Sequence, residues 1–211
     1  MKTIISTMLA LSALLCGSGC SPLAPQPDRS KFFILTPISD DAATVATQVP
    51  AASSSQLTLG VGPIYFPAYL RRPEIVTLAS PNQIDLSAEK RWGEPLDKNF
   101  ERVITENLTQ LLGTQRVEKY PWSRNVHVDF QIVIDVQRFD TSSDGLSHLT
   151  ARWIIKDGAT AKDLFASETS SSLPVGPGDT GASAALSQDL AILSRAIASR
   201  LEAFNHARSS A

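Results

Sequence analysis

In residues 126–140, VHVDFQIVIDVQRFD, apolar positions recur at every second residue from Val126 to Val136. Val126, Val128, Phe130, Ile132, Ile134 and Val136 fall on one side, with Asp129, Gln131, Asp135 and Gln137 on the other. A period of two is the signature of a half-buried β-strand. LSHLTARWIIKDG and LFASETSSSLP follow, with turn residues at Asp144-Gly145 and Asp157-Gly158, and together they predict an antiparallel meander. Upstream, KFFILTP, a short apolar run ended by Pro37, predicts a first strand. QLTLGVGPIYF puts Leu57, Leu59 and Val61 on one face, and Pro63 is expected to end its pairing or hold it near an edge. PEIVTLASPNQIDLS predicts two brief strands around a turn at Pro81-Asn82.

The period changes twice. In WGEPLDKNFERVITENLTQLLG, residues Leu96, Phe100, Val103, Ile104, Leu108, Leu111 and Leu112 form one helical stripe. Pro95 lies at its start and Gly113 is a natural stop. Residues 182–206 repeat the pattern through Leu186, Leu190, Leu193, Ile197, Leu201 and Phe204, with cap candidates between Asp179 and Ser183. Residues 38–56 are low in complexity and predict a loop.

The first twenty residues belong to a different class. Lys2 supplies a positive start, Ile4 to Leu15 an apolar stretch too short to span hydrocarbon, and Gly17, Ser18 and Gly19 a small-residue site before Cys20. This predicts a secretory signal over 1–19 and a proline-rich tether over 20–30, ahead of one domain over 31–206. Cys16 and Cys20 are the only cysteines, and signal removal separates them, so neither a disulfide nor a two-cysteine metal pair is expected. Cys20 after Ser18-Gly19 resembles the lipobox of bacterial lipoproteins, although Gly17 stands where that pattern prefers Leu; large residues precede Cys16. The resemblance implies acylation at Cys20, a stable anchor through several chains, and, with Ser21 following, sorting to the outer membrane on its periplasmic side.

Composition narrows the remaining choices. A chain of 211 residues that is 43% hydrophobic and 19% charged suits one globular domain. Its net charge of −2, or −3 once Lys2 is gone, offers no general attraction for nucleic acid. His127, His148 and His206 are far apart, and no zinc-protease, nucleophile-elbow or serine–lysine motif occurs. Neither a catalytic site nor a metal or cofactor is expected. GPGDTG at 176–181 matches a dinucleotide-loop spacing, but Pro177 removes a backbone donor and no strand with a terminal acid follows the helix, so a structural turn is expected. The sequon at Asn107 lies inside the first helix.

GPIYFPAYLRRPEIV, residues 62–76, concentrates three prolines, three aromatics and two arginines. Either its aromatics tuck into the domain, or the segment is a contact surface in which Tyr65, Phe66, Tyr69, Arg71 and Arg72 meet a partner. RWGEPL at 91–96 is the second such segment.

PAYLRRPEIV, RWGEPL ahead of an amphipathic helix, and FFIL after the signal together resemble the ABC-type transport auxiliary lipoproteins. VDFQIVIDVQRFD, LTARWII and the last helix extend the resemblance over nearly all the mature chain. That family tends to have an acidic residue in place of Arg71 and Ala in place of Gly93. The resemblance implies an α/β fold: one compact domain with a central mixed sheet of about five or six strands flanked by two long amphipathic helices. It implies a non-enzymatic, lipid-anchored accessory subunit of an ABC ATPase, permease and MCE-domain system that moves lipid or other hydrophobic molecules between membranes and supports membrane integrity. A ring-like homo-oligomer is compatible with that role. The alternatives are a lipid-binding module carrying its own cargo, which requires an enclosed apolar cavity, and a hydrolase with a dispersed site.

Overall fold

The computed structural model describes residues 28–39 and 57–209. The expected signal, Cys20, most of the tether and nearly all of the 38–56 loop lie outside these residues. The strands are β1 (Lys31–Phe33), β2 (Leu59–Tyr65), β3 (Glu74–Ser80), β4 (Gln83–Trp92), β5 (Val117–Lys119), β6 (Phe130–Ser142), β7 (Leu146–Asp157) and β8 (Asp163–Pro174). The helices are α1 (Leu96–Leu112) and α2 (Gly181–Ser209), so the fold is α/β with one mixed sheet. Among the described residues eight strands pair, more than the five or six expected. β1 falls in the KFFILTP run expected as a first strand, whereas the three-residue β5 has no readable period and exists through its pairing with β2 alone.

β6 organises the sheet. One of its edges pairs antiparallel with β7 along nearly its whole length, and β7 pairs antiparallel with β8, giving the expected meander. Its other edge is shared. β2 lies parallel against Phe130–Asp135, and β3 lies parallel against Thr141 and Ser142. β2 and β3 thus occupy two consecutive stations on one edge, and residues 66–73 leave the sheet between them. Pro63 does not end β2 but, as the second of the two expectations has it, lies where one edge of the strand is unpaired among the described residues. It ends the pairing with β5, which stops at Val61, while pairing with β6 resumes at Ile64 after a register shift. A second shift in β6 between Val136 and Arg138 puts Phe139 inside, where strict alternation would have put Arg138.

Both helices cover one face of the sheet. Phe100, Val103, Ile104 and Leu108 of α1 and Leu186, Leu190, Leu193 and Ile197 of α2 are fully or almost fully buried against Leu59, Phe130, Ile132, Ile134 and Leu149. Asp135, Gln137 and Arg152 point away from the core into solvent. α1 ends at Gly113 in a left-handed conformation, φ 62°, as its sequence predicts.

Residues 34–39 form no ladder, yet Leu35 is completely buried. Their backbone amides are satisfied by helix side chains instead: Leu35 N donates to Asn99 Oδ1 (3.2 Å), Thr36 N to Ser187 Oγ (3.1 Å) and Ile38 N to Asn107 Oδ1 (2.9 Å). Asn107 Nδ2 also donates to Ser194 Oγ across the helix pair (3.0 Å). Buried polar positions on helix faces are therefore the partners of an irregular strand, as buried backbone groups require.

Candidate functional site

Where β2 leaves the sheet, each residue of the excursion is fixed by a different contact. Tyr65 remains 53% exposed. Phe66 turns inward and meets the edge of Phe100 at 5.1 Å between ring centres. Ala68–Leu70 make a single 3₁₀ turn whose Leu70 is buried. Tyr69 Oη donates to Asp140 Oδ2 (2.8 Å), and Arg138 Nε holds the other oxygen (2.9 Å). Burial foremost, then that hydrogen bond to Asp140, pushes the Tyr69 hydroxyl well above the ordinary phenol range, so it remains a donor. Arg71 and Arg72 follow, exposed and half-buried respectively.

The second segment closes on the first. Trp92 N donates to Pro73 O (2.7 Å) and Gly93 N to Phe33 O (2.8 Å), so RWGEPL is stitched to PAYLRRPEIV on one side and to β1 on the other. Trp92 and Leu96 are buried beneath. The result is a cleft of about 380 Å³, walled by Arg71, Arg72 and Pro73 on one side and by Gly93, Glu94 and Pro95 on the other, with Asp97 at its end.

Arg102 on α1 supports the far wall. Its guanidinium donates to Glu94 Oε1 (3.0 Å), Asn99 Oδ1 (2.9 Å), Leu35 O (3.2 Å) and Glu106 Oε1 (3.4 Å). Such a fork needs several acceptors in one plane, which arginine can meet and lysine cannot. Arg102 and Asp140 escaped the sequence reading. A weak signal existed for Arg102 in its i,i+4 partner Glu106; Asp140 depends on the bulge in β6 and had none.

Of the five residues expected at a contact, Tyr65 and Arg71 are exposed, Tyr69 and Arg72 half-buried, and Phe66 belongs to the core. Cys20 lies outside the described residues. Other sequence features have structural explanations. GPGDTG is a tight turn in which Gly181 sits so close to Gly176 O that a Cβ would come within 1.9 Å, while Asp179 pairs with Lys31 and Lys90. His148 Nε2 lies 2.8 Å from Ser142 Oγ, and Ser142 also bonds Asp144. In that trio the carboxylate engages the serine rather than the imidazole, so nothing orients a base and the contacts close the β6–β7 turn. Among the described residues, no three His, Cys, Asp or Glu side chains gather to hold a metal, and no helix is long and apolar enough to cross a membrane.

The fold has solved relatives. Protein XCC0632 from Xanthomonas campestris, of the DUF330 family, is 16% identical and covers 86% of this chain and 97% of its own, with a TM-score of 0.64. A second crystal structure, of an uncharacterized protein, is 19% identical over 69% of this chain and 92% of its own, with a TM-score of 0.60. At these identities the likeness is one of fold. No curated protein matches the chain. The model of the ABC-type transport auxiliary lipoprotein component family matches residues 41–198, which include both walls of the cleft, the meander and most of α2. The chain therefore belongs to the ABC-type transport auxiliary lipoprotein component family.

Proposed function

We propose that this protein is a non-catalytic accessory subunit of an ABC/MCE-type transport system, anchored by lipid at Cys20 to the periplasmic side of the outer membrane. It docks an MCE-domain partner, and through it the permease and ATPase, in a system that moves lipid or other hydrophobic molecules between the two membranes. Membership of the auxiliary lipoprotein family supports the association with an ABC transporter. The observation that carries the docking role is the convergence of the two family-bearing segments, residues 67–76 and 91–96, on a single cleft. Exposed Arg71 and buried Trp92 both line that cleft, and arginine and tryptophan are the residue types enriched at contact centres.

The test is affinity purification of the full-length protein from gently solubilised membranes, followed by mass spectrometry of the co-purified chains. Recovery of an MCE-domain protein with its permease and ATPase is expected. An abundant, folded, membrane-bound protein that brings none of these with it would defeat the proposal.

A further inference from the structure

The cleft contains two arginines, Arg71 and Arg72, that form no ion pair among the described residues, and Arg72 Nε is shut off from solvent without an acceptor. Glu94, on the opposite wall, is already held by Arg102. α1 begins at the end of the cleft with Pro95 as its N-cap and no side-chain cap, so its amide ends add further positive potential. Only Asp97 opposes these groups from within the lining.

An apolar rim adjoins the charge. A Cβ on Gly93 would lie 3.2 Å from Ile34 Cγ2 and 3.9 Å from Phe32 Cβ, which places both side chains beside Gly93 of the cleft wall, outside the lining itself. Phe32 is 66% and Ile34 52% exposed, and among the described strands β1 pairs with β4 alone. One site thus joins two unpaired guanidinium groups, an exposed apolar pair and the open edge of a strand. These demand three things of an occupant: a carboxylate, a neighbouring apolar side chain and an extended backbone.

We propose that the cleft receives an extended segment of the partner protein, its carboxylate between Arg71 and Arg72 and its apolar side chain on Phe32 and Ile34. The inference rests on the docking role above and adds the chemistry of what docks. Guanidinium groups suit a carboxylate because each planar fork donates two parallel hydrogen bonds to its oxygens. A single carboxylate can enter the cleft, whereas an extended anionic bilayer surface would also face the rest of a chain whose overall charge is −3 once Lys2 is gone.

Zero-length cross-linking tests this directly. Full-length Arg71→Lys and Arg72→Lys variants, in native membranes, are treated with a water-soluble carbodiimide. The lysine amine then forms an amide with a touching carboxylate, and the carbodiimide takes up the released water as its urea. The close pair Lys98–Glu101, 3.2 Å apart, supplies the internal positive control. Mass spectrometry is expected to find residue 71 or 72 joined to an Asp, Glu or C-terminal carboxylate of another protein. Replacing Phe32 and Ile34 by Ser should lower that yield at least tenfold. A link only to Asp97 of the same chain, an adduct with a lipid phosphate, or no link at either position while the purified complex stays intact would each overturn the inference. Absence of the complex itself would instead overturn the docking role, and the inference with it.

Discussion

Tyr69 and Asp140 are 71 residues apart in sequence and 2.8 Å apart in space, phenol donating to a carboxylate that is almost completely buried. Arg138 neutralises the second oxygen of the same carboxylate. This bond ties the excursion between β2 and β3 to the strand they share, and so sets where Arg71 and Arg72 begin. The same strand that builds the core thereby fixes the cleft wall.

Tyr69→Phe keeps the ring and removes the bond. Asp140 retains Arg138, so the expected loss is that of one hydrogen bond to a charged group, about 1.5–3 kcal/mol. Chemical denaturation should show it, and amide exchange over residues 68–73 should accelerate more than exchange in α2. Equal acceleration everywhere would mean that Tyr69 only stabilises the domain and does not position the cleft.

Arg102→Lys should weaken the fold by about 2–3 kcal/mol, because an ammonium cannot serve Glu94, Asn99 and Leu35 O together. The variant should also free Glu94 to approach Arg71 and Arg72, lowering recovery of the partner. Unchanged stability in urea would show that the fork is dispensable.

Asp189 gives the fold a pH dependence. Its carboxyl is buried beneath Ser147 and Ser171, each donating at 2.6 Å, and burial pushes its pKa above the ordinary 3.8 despite those bonds. The native state therefore holds this proton more tightly than the unfolded chain. The resulting stability is complete below the unfolded value and is lost as pH rises through the raised native one. Asp189→Asn removes the titration. The wild type should lose stability relative to the variant as pH climbs from 4 to 7, measured as urea midpoints. A difference independent of pH would contradict this.

Gly181→Ala should destabilise despite alanine's better helix propensity, since a Cβ 1.9 Å from Gly176 O forces the turn apart. A cost of about 1–3 kcal/mol, typical of overpacking, is expected in thermal unfolding. An unchanged or raised melting temperature would refute that reading of the turn.

Cys20→Ala should move the protein from the membrane to the soluble periplasmic fraction and remove the mass of the attached acyl chains. A variant that stays in the membrane with lipid bound would rule out anchoring at this residue.

The elements were legible because their signals are local. Alternation over residues 130–136 and the stripe from Leu96 to Leu112 follow from the geometry of strand and helix, whatever surrounds them, whereas residues 126–129 continue the pattern in sequence but lie ahead of the strand. The identity of the two unusual segments was legible in the same way, through prolines, aromatics and arginines close together in the chain. Their meeting was not. Trp92 N reaches Pro73 O only because β3 and β4 pair as a hairpin while β1 closes the other side, and no period in either segment encodes that. Phe66 and Tyr69 look equally suited to a surface by composition, yet one packs on Phe100 and the other bonds Asp140. Asn99 and Asn107 look like solvent positions, yet they serve the amides of Leu35 and Ile38. The sequence by itself raised the expectation of an anchor at Cys20, and it determined most of the elements and the segments rich in prolines, aromatics and arginines. Only the tertiary structure decided which of those residues the core would consume, because burial and hydrogen-bond satisfaction depend on segments far apart in the chain.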